Sequence, residues 1–330
     1  MRIKYLFLVS MASLSLFALG CNKAANNADQ ENQNTIAGQS SNGTPQTAEL
    51  DKIIKANKIS GAIIQEFVKE SYETKIWAVK AGGMKELVAS FPMLRQQSVF
   101  GGKGDANFDR QIEYTDPSEN LLSADKSLIM VESGTKRRVI DLSKIFPKLK
   151  PSKFWQDFFA SKPKRDYMFL SSYAFSPDGK YLIGEGGASI KLYTLLPSFK
   201  FSAVDADTSS ALYSTMLSQP DVLVEFSSTT DVPHQFKWSA DGKKLMYRGY
   251  ANLLGGYDFE KRKNIFKDFS FPPATAMNES GTKLDTFIDF VNDTYLVNRV
   301  DGTYAFTYQN NKYSSTKIFP ASIKLIGLIP

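Results

Sequence analysis

The chain has 330 residues, with 40 Lys+Arg against 34 Asp+Glu and a formal charge of +6. That excess is small and is spread along the sequence without a dominant basic block, which argues against nucleic acid as a partner. A single Cys excludes an internal disulfide, and an aromatic content of 13% suits strands.

The N-terminus reads MRIKYLFLVSMASLSLFALGC. Arg2 and Lys4 precede a run of about fifteen apolar or small residues, Tyr5 to Leu19. That run is shorter than the ~20 residues of a transmembrane helix and has the length of a secretory leader. It ends in Ala18-Leu19-Gly20-Cys21. This resembles the lipobox of bacterial lipoproteins, in which a small residue precedes the cysteine that becomes lipidated. Where that family usually has Leu three places before the Cys, this chain has Ala18. The resemblance implies removal of residues 1–20, acylation of Cys21 (palmitate included) and stable membrane anchoring by more than one chain. An ordinary secretory leader beside a spare cysteine is the alternative. Loss of Arg2 and Lys4 with the leader lowers the charge excess from +6 to +4. Asn22 follows the cysteine, where lipoproteins of this type held at the inner membrane often carry Asp. This favours the outer membrane of a bacterial envelope.

Residues 22–47, NKAANNADQENQNTIAGQSSNGTPQT, contain almost no large apolar side chain. Such a segment cannot bury enough surface to offset its ordering entropy. It is expected to be a tether with a mean reach of about 28 Å. The acylated cysteine and tether thus occupy 21–48, and a folded domain is expected over 49–330. Its ~280 residues suffice for one large core.

Along that domain, TKIWAVKAGGMKELVASF at 74–91 predicts two strands around Gly82-Gly83. NLLSADKSLIMVE at 120–132 predicts a hairpin, followed by a third strand in TKRRVIDL. PSKFWQDFFASK at 151–162 breaks the pattern. Phe154, Trp155, Phe158 and Phe159 share one face of a helix that Ser152 can cap, with lysines around it. Such a helix either packs on the core or presents a partner-binding or membrane-surface face. YAFSPDGKYLIG at 173–184 is a hairpin: Pro177 presets a turn, Asp178 accepts backbone N–H groups and Gly179 takes φ > 0. A third strand follows at 188–195. FKWSADGKKLMYR at 236–248 repeats the phrase, again with a strand after it at 254–259. AMNESGTKLDTF at 276–287 keeps only part of it, and TYLVNRVDGTYAFTY at 294–308 predicts two strands around Asp301-Gly302. The Asp positions 125, 178 and 241 are 53 and 63 residues apart, so the repeats are irregular.

Phe-Ser-Pro-Asp-Gly-Lys-x-Leu followed by a strand such as Ile190-Lys191-Leu192-Tyr193 resembles the WD40-like blade motif of TolB-type β-propellers. Phe175–Leu182 matches closely, Trp238–Leu245 well and Leu122–Ile129 in part. The resemblance implies an all-β propeller of four-stranded antiparallel sheets. At ~40 residues per blade it implies seven blades, with six or eight as alternatives. A different all-β fold with similar hairpins is the competing reading. Asp178 and Asp241 are expected to cap turns.

Chemistry is sparse. His234 is the only His, no G-x-S-x-G elbow accompanies it, and Gly101-Gly102-Lys103-Gly104 matches no phosphate loop. No cofactor or metal is expected, although an all-oxygen calcium site is not readable from sequence. Two functions fit: a protein-binding scaffold for another envelope protein, without catalysis, or a propeller that binds or hydrolyses glycans with carboxylates in its central funnel.

Overall fold

The hairpin phrase has one physical construction, repeated. Ser176 Oγ donates to Asp178 Oδ1 at 2.6 Å and accepts the N–H of Tyr181 at 3.0 Å, while Gly179 sits at φ 68°. Ser239, Asp241 and Gly242 repeat the arrangement, with the Lys244 N–H on Ser239 Oγ at 2.9 Å. Ser123 and Asp125 repeat it again, with the Leu128 N–H on Ser123 Oγ at 3.0 Å. Here the glycine's place is taken by Lys126, at φ 63°. The left-handed conformation costs a residue with a Cβ about 1 kcal/mol.

The structure is a computed structural model that describes residues 47–92, 94–99, 110–115, 118–133, 136–161, 173–185, 189–199, 216–225, 233–249, 253–270, 286–309 and 312–330. After helix α1 (Ala48–Asn57) come β1 (Gly61–Val68), β2 (Glu73–Lys80) and β3 (Lys85–Pro92). A separate two-stranded ribbon, β4 (Leu94–Val99) and β5 (Arg110–Thr115), precedes the second sheet, β6 (Ser118–Leu122), β7 (Leu128–Ser133) and β8 (Lys136–Asp141). Helix α2 (Lys153–Ala160) leads to β9 (Tyr173–Phe175), β10 (Tyr181–Glu185), β11 (Ser189–Thr194) and β12 (Asp221–Glu225). Next are β13 (Pro233–Trp238), β14 (Lys244–Gly249), β15 (Leu253–Asp258) and β16 (Lys263–Ser270). Then come β17 (Thr286–Val291), β18 (Thr294–Arg299), β19 (Gly302–Gln309) and β20 (Lys312–Pro320). The last strand, β21 (Ile323–Ile329), returns to pair antiparallel with β1, giving the order β21-β1-β2-β3.

The architecture is an all-β propeller of antiparallel sheets. Among the described residues it has five blades, four of four strands and one (β6-β7-β8) of three. Five apolar clusters fill the five interfaces between neighbouring blades. Ile63, Ala78, Ile129 and Val131 join blades one and two. Leu128 and Met130 meet α2 and Phe175 between blades two and three. Ile183, Val224, Trp238 and Leu245 join three and four. Met246, Phe287, Tyr295 and Val297 join four and five. Ile64, Val79, Leu296 and Phe319 close five onto one. Helix α1 seals that last seam. Leu50 and Ile54 are fully buried in it, the Gly82 N–H donates to Asp51 Oδ1 at 2.6 Å, and Asn292 Nδ2 donates to Asn57 Oδ1 at 2.7 Å.

The expected seven blades are corrected to five. The division by ~40 residues treated every residue as blade material, whereas the β4–β5 ribbon, a short 3-10 turn (Leu142–Lys144) and α2 all lie between blades. The weak phrase at 276–287 falls mostly outside the described residues, and the turn into the second strand of blade five is made by Asn292, at φ 50°, and Asp293.

Pairing of the two chain ends holds the ring shut. Deletion of residues 321–330 removes β21 from blade one and uncovers the clusters of two interfaces. The expected outcome is loss of a single cooperative transition in circular-dichroism thermal melts, rather than a small shift of the midpoint.

Candidate functional site: a charged cluster at the propeller axis

The innermost strands are irregular where they approach the axis. In β13, His234 pairs with Arg248 but Lys237 with Met246, so the strand carries one extra residue, and Gln235 there adopts φ 57°. β17 gains a residue between Phe287 and Asp289, and β21 gains one at Ile326. An extra residue bends a strand and re-aims the side chains that follow it. The bulges are tied together: the Phe287 N–H donates to Gln235 Oε1 at 2.8 Å, and the Asn298 side chain pairs with both backbone groups of Leu325.

Three charged side chains converge beside these bulges. Lys126 of blade two donates to Asp289 Oδ2 of blade five at 2.6 Å, across β21 of blade one. The pair is buried, with side-chain exposures of 11% and 3%. The same Asp289 oxygen accepts the Leu328 N–H at 2.9 Å, and Oδ1 accepts the Phe290 N–H at 2.9 Å. The crossing is possible because residue 327 is glycine. A Cβ there would meet Leu122 Cδ2 at 2.5 Å and lie 3.3 Å from Asp289 Oδ2. Lys237 of β13 completes the group. Its neighbours Phe236 and Trp238 are buried in the core between blades three and four, so by strand alternation Lys237 lies on the opposite face of the sheet, with its pairing partner Met246 on the side that blade five covers. It remains partly open to solvent but is enclosed by protein. Desolvation and the charge of Lys126 pull its pKa down to about 8, against an opposing pull from Asp289. One carboxylate among two lysines differs from the carboxylate pair of glycoside hydrolysis. Nothing among the described residues favours a glycan reading.

None of these three was singled out in the sequence. The signals were a lysine in the glycine place of a hairpin phrase, a lysine between Phe236 and Trp238, and an aspartate inside Phe287-Ile288-Asp289-Phe290. The residues that were singled out lie elsewhere. Cys21 is outside the described residues. Trp155, Phe158 and Phe159 of α2 are buried between blades two and three, with Phe154 at the edge of that cluster. Helix α2 bridges two hairpin turns: the Ser152 N–H donates to Asp125 Oδ2 at 3.0 Å and Trp155 Nε1 to the Pro177 carbonyl at 3.0 Å. The Phe154 ring lies against Gly179, where an added Cβ would overlap it. Asp178 and Asp241 cap their turns by accepting the Lys180 and Lys243 N–H groups. Partial burial pushes the Asp178 carboxyl up, but the Ser176 hydroxyl and the Lys180 N–H and charge hold it below the usual range.

No family model matches the chain, and no curated protein matches it. Solved structures match at low similarity. The N-terminal domain of Nup159 is 14% identical over 60% of this chain and 42% of that one, with a TM-score of 0.23. A Lactobacillus plantarum protein is 14% identical over 79% of this chain and 68% of that one, with a TM-score of 0.25. Hsv2 of Kluyveromyces lactis is 9% identical over 81% of this chain and 84% of that one, with a TM-score of 0.27. The chain thus spans less than half of the Nup159 domain structure it matches. The propeller rests on its own strand pairings and interface clusters.

Two substitutions separate the charges. Asp289→Ala leaves Lys126 buried without its carboxylate and is expected to cost about 3–5 kcal/mol in denaturant unfolding. Lys237→Met removes a desolvated cation and is expected to stabilise at pH 7 by about 1–3 kcal/mol. The sign with pH follows from the folded value of about 8 lying below the unfolded ~10.4. Below pH ~8 both states are protonated, and the wild type carries the full penalty. Between ~8 and ~10.4 the folded state has shed the proton first, so the penalty falls as pH rises. The advantage of Lys237→Met should therefore be constant below pH 8 and fade toward pH 10.

Proposed function

We propose that this protein is a bacterial lipoprotein whose propeller is a protein-binding scaffold in the cell envelope. Cys21 carries the acyl chains once residues 1–20 are removed, residues 22–47 form the tether, and the outer membrane is the favoured site. The role is binding and not catalysis. The observation that supports a binding role is the ring of blades with an apolar cluster at every interface. A frame closed in this way holds its interstrand loops in fixed positions, and recognition usually lives on such loops. The blade phrase carries the resemblance to TolB-type propellers, which act through protein contacts. This last step is analogy of fold and site-independent.

The test combines anchor and partner. In cells of the source organism, the wild type should incorporate labelled palmitate and fractionate with membranes, and Cys21→Ala should do neither. Crosslinking in intact cells followed by pull-down should return a reproducible envelope protein joined to interstrand loops. Palmitate entering the Cys21→Ala protein would overturn the anchor. An intact, anchored bait that crosslinks to no protein would overturn the scaffold.

A further inference from the structure

Blade two is one strand short. The other four blades have a fourth, outer strand, whereas β6-β7-β8 ends at β8. Its Ser-x-Asp turn lies between β6 and β7, as the turns of blades three and four lie between their first and second strands. The place left open is therefore the outer one. Among the described residues β8 pairs with β7 alone. Its exposure agrees. Third strands of the other blades carry buried apolar residues, among them Ala78, Ile190, Leu254 and Ala305. On β8, Val139 is 41% exposed and Arg138 is exposed as well.

The open edge has a defined hydrogen-bonding pattern. The Leu142 N–H donates to the Ser127 carbonyl at 2.8 Å, which continues the β7–β8 ladder. Counting back in twos, the backbone groups of Ile140 and Arg138 face β7, and those of Asp141, Val139 and Arg137 face outward. Such an edge accepts one more antiparallel strand. It is also charged. β8 reads Lys-Arg-Arg-Val-Ile-Asp, three basic residues against one acidic. In register, Glu132 stands opposite Arg137, and Asp141 accepts the Ser143 N–H of the turn that follows it. Ser133 and Val131 stand opposite Lys136 and Arg138, so these two cations have no acidic residue at their register positions on β7.

We propose that the outer edge of β8 docks an extended acidic segment of a partner protein, which becomes the fourth strand of blade two. The proposal rests on the scaffold reading above and names the kind of partner it takes. Running antiparallel, the segment places acidic residues opposite Arg138 and Lys136 and apolar residues opposite Ile140 and Val139. From its N-terminus that order reads apolar, apolar, acidic, any, acidic. Main-chain bonds to Arg137, Val139 and Asp141 hold the segment, and the side chains along the edge select it. A second copy of this chain is the wrong occupant, because it brings another strand with three basic residues, and charged edges keep like copies apart.

The experiment uses the full chain and a fluorescein-labelled peptide, Ser-Thr-Val-Val-Glu-Thr-Glu-Ser, read by anisotropy. A control peptide has Lys in place of both Glu. The acidic peptide is expected to bind saturably, and about tenfold more weakly to the double variant Lys136→Glu/Arg138→Glu. Val139→Pro removes an outward N–H and no bond to β7, so it should fold and lose the peptide. Binding that survives Val139→Pro is charge attraction alone and overturns strand addition. Should Val139→Pro not fold, amide hydrogen exchange in the wild type decides. Exchange of the Val139 N–H should slow about tenfold or more with peptide bound, and unchanged exchange overturns the proposal. Equal binding of the control peptide overturns the acidic class, and dimers of the free chain that Val139→Pro dissolves overturn the choice of partner. A crosslinked envelope protein that Val139→Pro retains overturns this edge while the scaffold stands.

Discussion

Ring closure is the constraint on which everything else in this domain depends. A blade is a sheet with two apolar faces, and each face needs a neighbour. Four interfaces can form in chain order, but the fifth can form only when the two ends of the chain meet. β21 meets that need by pairing with β1, and α1 lies over the seam with Leu50 and Ile54 inserted into it. The gap between blades two and three is filled by α2. Its rings lie between Met130 and Phe175, and its N-terminal end is pinned to two hairpin turns. A helix that was a candidate docking element in sequence is thus placed as a wedge inside the ring.

Five blades also bring the innermost strands close enough for side chains from blades two and five to meet across blade one. This is why Gly327 carries no side chain, and why a lysine can occupy the glycine place of a turn. The left-handed strain at Lys126, about 1 kcal/mol, is offset by an ion pair that also accepts a backbone N–H. The three bulges belong to the same geometry. Each re-aims a residue of an innermost strand that strict alternation would place elsewhere, and two of the three re-aimed positions are charged.

Much of the strand inventory was legible. The Ser-x-Asp turns, the strands on either side of them, the third strands after them and the α2 cap at Ser152 all follow from local chemistry: turn propensity, alternation and a hydroxyl facing free N–H groups. Blade number was not legible, because a count by length cannot separate blade strands from the β4–β5 ribbon and α2. The strand β21, IKLIGLI in sequence, was not singled out, because its partner lies at the other end of the chain. The axial cluster was illegible for the same reason. Lys126 and Lys237 are 111 residues apart and Lys237 and Asp289 are 52 apart, and no local pattern marks residues that meet only in the folded ring.

The amino-acid sequence by itself therefore determined the local units: hairpins whose turns close through a Ser hydroxyl and an Asp carboxylate. These depend on interactions within a few residues. Tertiary structure alone decided how many hairpins make a ring, which strand closes it, and that a lysine of blade two pairs with an aspartate of blade five across β21. Those outcomes depend on which apolar faces are left to be covered and on bulges that turn side chains by one position. Both are properties of the assembled ring and of no segment within it.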